Sequence, residues 1–276
     1  MKKYLSVFAL YVRCSICKVT GILLLLWAGQ TLYFREKLSD ALTYYALPVT
    51  ENEYGMASMT RSFTRLEDMF TAPFAAMAAA AFLLTVVVLC LPGTSRQAKT
   101  GYTLARLGIP ERETFVCQAV YNGAVLLIFW AAEAVLCYLL CRYYGMLAPE
   151  DYVSSQTILL AFYRGDFLHS LLPMADISGW ASSLCMLLSL ALSTAAFPYF
   201  QRRRKFFSDA LVSTLVTVAF FVRGVGEGYG DAMYIFTALI VIPHILYQLY
   251  AFDDEENDVR EQETVGAENC AGGNRT

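Results

Sequence analysis

Long apolar runs alternate with short polar, charged stretches along this chain, and charges rarely interrupt the runs. That layout suits a bilayer, since a helix of ~20 apolar residues covers a hydrocarbon core of ~30 Å. A backbone inside lipid must satisfy its own hydrogen bonds, so each run is predicted to be a helix. Six spans are expected, over about residues 16–34, 70–91, 114–141, 180–200, 206–222 and 232–252. The fifth is the shortest and carries Asp209 near one end, while the third is long enough for its first turns to lie at the interface.

Ahead of the first span, a projection at ~100° per residue places Tyr4, Leu5, Phe8, Tyr11 and Val12 on one face and Lys2, Lys3, Arg13 and Lys18 on the other. An amphipathic interfacial helix is expected there, its bases meeting anionic lipid. The fold class is therefore all-α, a polytopic membrane helical bundle of six transmembrane helices over residues 1–252 with that N-terminal interfacial helix. Residues 253–276 are polar and acidic and are expected to form a disordered cytoplasmic tail.

Loop charges orient the bundle, because cytoplasmic loops carry the excess of Lys and Arg. Lys2, Lys3, Arg13, Lys18, Arg96, Lys99, Arg106, Arg112 and the run 202–205 fall on one side in short connections. The other side spreads fewer bases over longer loops, mainly 35–69 and 142–178. Both termini are thus expected in the cytoplasm. Within the second outer loop, the apolar pieces 158–163 and 167–173 are too short to span and are expected to be interfacial or re-entrant helices.

Composition agrees with a membrane chain: of 276 residues, 57% are hydrophobic and 16% charged, against roughly 25% charged in a soluble domain. The net charge of −3 divides unevenly, since the tail's eight acids and two bases leave +3 on the bundle. Most of the eight cysteines lie in or beside apolar runs and read as packing residues. Cys14-x-x-Cys17 has the spacing of half a zinc or redox site, but no second pair follows and no histidine lies near it, so no metal is expected. No signal-peptide cleavage site follows the first apolar stretch.

Catalytic chemistry is hard to assemble from this inventory. The two histidines, His169 and His244, lie on different elements, and no H-E-x-x-H, G-x-S-x-G or Walker A pattern occurs. No catalytic residue, cofactor or nucleic-acid partner is expected. Pro198 is expected to disturb the end of span four, and Pro243 to kink span six beside a locally satisfied His244. The third span does carry a polar face: Gln118, Asn122 and Glu133 project together with Leu126 and Phe129. An ionised carboxyl facing lipid costs at least ~2.5 kcal/mol, so Glu133 should face protein or water, or be protonated. The face either lines a path or glues the bundle through interhelical hydrogen bonds. In span two, Ala75, Ala76, Ala79 and Ala80 offer small-residue spacing for close helix contact.

Between spans two and three, residues 93–113 form a cytoplasmic loop. Residues 100–107 suit two helical turns stopped by Gly108 and Pro110, and Glu111 and Glu113 suit the start of the next helix. A short basic helix with an apolar handle at Leu104 and Leu107 is suited to docking a partner. Here Thr103-Leu104-Ala105-Arg106-Leu107-Gly108-Ile109-Pro110-Glu111-Arg112 resembles the T-L-x-x-L-x-(I/L)-P loop of type-2 ABC exporter membrane subunits, in particular stand-alone bacterial permeases of Gram-positive organisms. The six spans, N-terminal amphipathic helix and cytoplasmic termini resemble the same class. One departure is the brief turn 223–231, where many members carry a long outer segment.

The resemblance implies a permease subunit of the bacterial plasma membrane, without an ATPase site of its own. Its partners would be separate ATPase subunits, which bind the ATP, and a second permease copy or homologue. Coupling would fall to Thr100, Tyr102, Leu104, Arg106, Leu107 and Glu111. A second expectation, of another class, is a non-transporting scaffold or sensor with ligand-binding outer loops.

Overall fold

The computed structural model describes residues 2–46, 63–91, 111–174, 176–202, 208–221 and 230–251. Among them the chain is all-α, without a strand. In chain order the helices are α1 (Lys2–Ala46), α2 (Ala72–Cys90), α3 (Glu111–Leu147), α4 (Thr157–Arg164), α5 (Asp166–Leu171), α6 (Ile177–Arg202), α7 (Asp209–Phe221) and α8 (Gly230–Ala251). Five of them, α1, α2, α3, α6 and α8, are long and apolar enough to cross a membrane. The expected fifth span is helical as α7, but its 13 described residues reach only ~20 Å at 1.5 Å per residue. Alone, that stretch falls short of the hydrocarbon thickness.

Two helices are far longer than a span. The 45 residues of α1 extend ~67 Å and the 37 of α3 ~55 Å. The amphipathic N-terminal segment is helical and is the opening of α1 itself, continuous with the first span. Its position follows from packing: Val7 and Tyr11 are buried, Phe8 meets the ring of Tyr121 edge-on at 5.5 Å, and the Tyr4 hydroxyl donates to Glu113 at 2.7 Å. Leu5 remains exposed.

Helices α3 and α6 share the most extensive contact, and α2 touches α1, α3, α6 and α7. Helices α3 and α6 approach closely at Gly123, where a Cβ would lie 3.4 Å from the Cβ of Ala191. Small residues let membrane helices pack through backbone contact where lipid supplies no hydrophobic drive. Ala75, Ala78, Ala79 and Ala81 on α2 are likewise buried, whereas Ala76 and Ala80 are exposed. Helix α8 packs on α3 and α6 through Val241 and Ile245 against Phe115, Ala195 and Tyr199. Neither proline ends its helix: α6 continues past Pro198 to Arg202, and α8 continues past Pro243.

Both long loops contribute to a folded cap at the end of the bundle opposite the N-terminus. Its core joins Phe34 and Leu38 of α1 to Phe63, Met69 and Phe70, to Tyr144, and to Phe162 and Leu168 of α4 and α5. The two apolar pieces of the second loop are thus short helices, as the sequence implies. They part at Gly165, whose amide bonds the Ala161 carbonyl at 2.8 Å, and a Cβ there would sit 2.8 Å from that same oxygen. Polar ties complete the cap: Tyr144 donates to the Thr64 carbonyl at 2.8 Å and Lys37 to the Asp68 carbonyl at 2.5 Å. Thr71, which precedes α2, is bonded through its hydroxyl to Tyr33 at 2.7 Å and makes no side-chain cap to the helix. Pro73 in the first turn of α2 leaves no unmet amide there.

Candidate functional site

The three polar residues of α3 are all buried, each about 1% exposed. They do not converge on one site, because Asn122 and Glu133 lie ~16 Å apart along the helix axis. Asn122 turns toward α6 and donates to the Thr194 hydroxyl at 3.0 Å. Thr194 in turn donates back to the Leu190 carbonyl at 2.8 Å, so its hydroxyl is used in both senses. This pair is interhelical glue, and Gln118, one turn away, is buried on the same helix.

Glu133 has different company. Its Oε1 accepts from the Gln30 amide of α1 at 2.5 Å, and Gln30 is fully buried. Neither the Glu133 Oε2 nor the Gln30 Oε1 has a hydrogen-bond partner among the described residues. Glu133 also borders a cavity of about 90 Å³ beneath the cap, shared by α2, α3, α5, α6 and α7. Phe82, Leu126, Phe129, Trp130, Met186 and Leu190 supply apolar walls, and Ser170, Ser183 and Thr217 supply hydroxyls. Among the described residues no basic side chain lines it, and neither Gln118 nor Asn122 does.

The positions follow from helical spacing. Leu126, Phe129, Trp130 and Glu133 are three, four and seven residues apart and so share one face of α3, while Ser183, Met186, Leu187 and Leu190 repeat that spacing on α6. Trp130 is held by donating its indole N–H to the Leu171 carbonyl at 2.8 Å and by its tilted contact with Trp180 at 5.7 Å. Along the axis, Glu133 lies ~13 Å before Arg142, in the half of the span nearer the cap.

A second polar group joins α7 to α8, where His244 Nδ1 lies 2.5 Å from Asp209 and its Nε2 lies 2.9 Å from Gln248. His244 is therefore held partly by its own helix and partly by a neighbour. Near the cap, the Ser178 hydroxyl, which donates to Asp176, and the Ser182 hydroxyl of α6 lie 3.0 and 3.3 Å from the Asp231 carboxylate of α8. No group of His, Cys, Asp and Glu able to hold a metal occurs among the described residues, and Cys17 is exposed.

Of the expected coupling residues, Thr100, Tyr102, Leu104, Arg106 and Leu107 lie outside the described residues, and Glu111 is the first residue of α3. Residues 253–276 also lie outside them. Sequence reasoning missed Gln30 and Thr194, the two partners. The available signal was the one amide side chain in the first span and one hydroxyl among several in the fourth. No family model matches the chain, and neither a curated protein nor a solved structure matches it.

Proposed function

We propose that the chain is the membrane-spanning subunit of an ATP-driven ABC transporter, working as an exporter in a bacterial plasma membrane. The single observation that carries this reading is the continuity of α3. It begins at Glu111, directly after the docking-like segment 103–110, and runs unbroken past Glu133 at the cavity. A displacement of that segment therefore enters a rod that ends in the cap, with the buried carboxyl on its way.

In this reading both termini are cytoplasmic, ATP is bound by separate ATPase subunits, and a second permease copy or homologue completes the assembly. Closure of the ATPases would move residues 100–113 and bias the bundle between two states, which requires contacts that differ between those states. Copurification tests it. A tagged chain from its native host should bring down an ATP-binding-cassette subunit, and Leu104→Asp with Arg106→Glu should abolish that association. If no ATPase copurifies and transport survives the double substitution, the reading is wrong.

The folded cap favours a second reading, a membrane scaffold or sensor whose loops bind a ligand, because 63–71 and 144–171 share one aromatic core rather than forming simple connections. A neighbouring kinase or regulator gene, with no ATPase gene beside it, would point there.

A further inference from the structure

We infer that the cavity beside Glu133 is a binding site for a small organic ammonium ion, that is, an amine carrying its proton. Glu133, which lines the cavity, carries a buried oxygen, Oε2, that no described residue donates to; the Oε1 of its partner Gln30, which does not line the cavity, is likewise unmet. With the carboxyl ionised both are acceptors, so what is wanted is a donor. Among the described residues the cavity wall offers three hydroxyls and no cationic side chain, so none of them would contest the donor's charge.

The walls decide between kinds of cation. An inorganic ion such as Ca²⁺ takes 6–8 oxygen ligands, and no metal-holding group occurs among the described residues. Phe82, Phe129 and Trp130 instead supply aromatic surface, which attracts a cation through the ring quadrupole and suits an alkyl chain equally. Size narrows the class further. A dry cavity of ~150 Å³ admits benzene, so a cavity of about 90 Å³ suits a short unbranched amine of a few heavy atoms. As a binding site this stands alone, whereas calling the amine a transported substrate rests on the transporter reading above.

Saturation-transfer NMR with n-butylammonium tests it, using the full chain in nanodiscs of phosphatidylcholine, whose headgroup has no N–H, with empty nanodiscs as the blank. Saturable binding is expected, and 1-butanol, its neutral counterpart, should bind at least ~10-fold more weakly, as should n-butylammonium to Glu133→Gln, given the strength of hydrogen bonds to charged groups. Ser183→Leu, which fills the cavity but keeps the carboxyl, should also abolish binding, and it decides the matter should Glu133→Gln fail to elute as a folded protein. Adding phosphatidylethanolamine separates the sources: displacement assigns the natural ammonium to a lipid headgroup, undisturbed binding to a soluble amine, and either upholds the site. Absence of saturable binding, equal binding of the alcohol, or unchanged binding to both variants overturns the inference. Binding by a chain that brings down no ATPase would keep the site and remove only the transporter reading.

Discussion

The indole N–H of Trp130 donates to the carbonyl of Leu171 across 2.8 Å, joining a membrane-spanning helix to the cap above it. Trp130→Phe removes the donor and leaves most of the ring contact. An ordinary hydrogen bond is worth ~1 kcal/mol, so a fall of a few degrees in apparent Tm in detergent is expected. An unchanged Tm would mean the cap is held by its apolar core alone.

Breaking the Gln30–Glu133 pair from one side should cost more than removing it. Gln30→Leu leaves the Glu133 carboxyl buried without a donor, at ~1–3 kcal/mol. The double variant, Gln30→Leu with Glu133→Leu, should be more stable than Gln30→Leu alone. A double-mutant cycle read by denaturant or thermal unfolding measures the coupling, and strict additivity would contradict the pairing.

Helices α3 and α6 approach closely at Gly123. At 3.4 Å from the Ala191 Cβ, Gly123→Ala should be nearly neutral, whereas Gly123→Leu should overpack the crossing by ~1–3 kcal/mol. Comparing the two variants by thermal unfolding checks this. Equal effects would place the crossing elsewhere.

At the cap end of α6, the Ser178 hydroxyl and amide donate to Asp176 at 2.9 and 3.0 Å. The hydroxyl chiefly, then the amide, hold the Asp176 carboxyl below its ordinary value. A folded value below the unfolded one means stability that is present above the unfolded value, ~3.9 for aspartate, and is lost as pH falls through the folded one. Ser178→Ala should therefore raise the folded value of Asp176, which carboxylate NMR titration reads directly. An unmoved titration would assign the depression to the backbone.

Much of the fold could be read from apolar runs because a bilayer converts composition into length. Five expected spans appear as helices of sufficient reach, and α7 alone is short over its described residues. The polar face of α3 was also legible, since Gln118, Asn122 and Glu133 share one side by spacing alone. What each one meets was not. Asn122 finds Thr194 and Glu133 finds Gln30 through contacts between residues 72 and 103 positions apart, and such pairings carry no local pattern. The same holds for the cap, where Phe63 meets Tyr144 and Tyr152 at 5.8 and 5.6 Å. The coupling segment itself lies outside the described residues.

The length of α1 gives it leverage. A straight rod of ~67 Å pivoting at its centre shifts each tip by ~3 Å for a tilt of about 5°. One tip carries Tyr4, bonded to Glu113 at the start of α3, and the other end carries Lys37, bonded to the cap at Asp68. Were α1 to tilt as one rigid body, a displacement at Tyr4 would be answered by an opposite one at Lys37, with Gln30 on the arm between them.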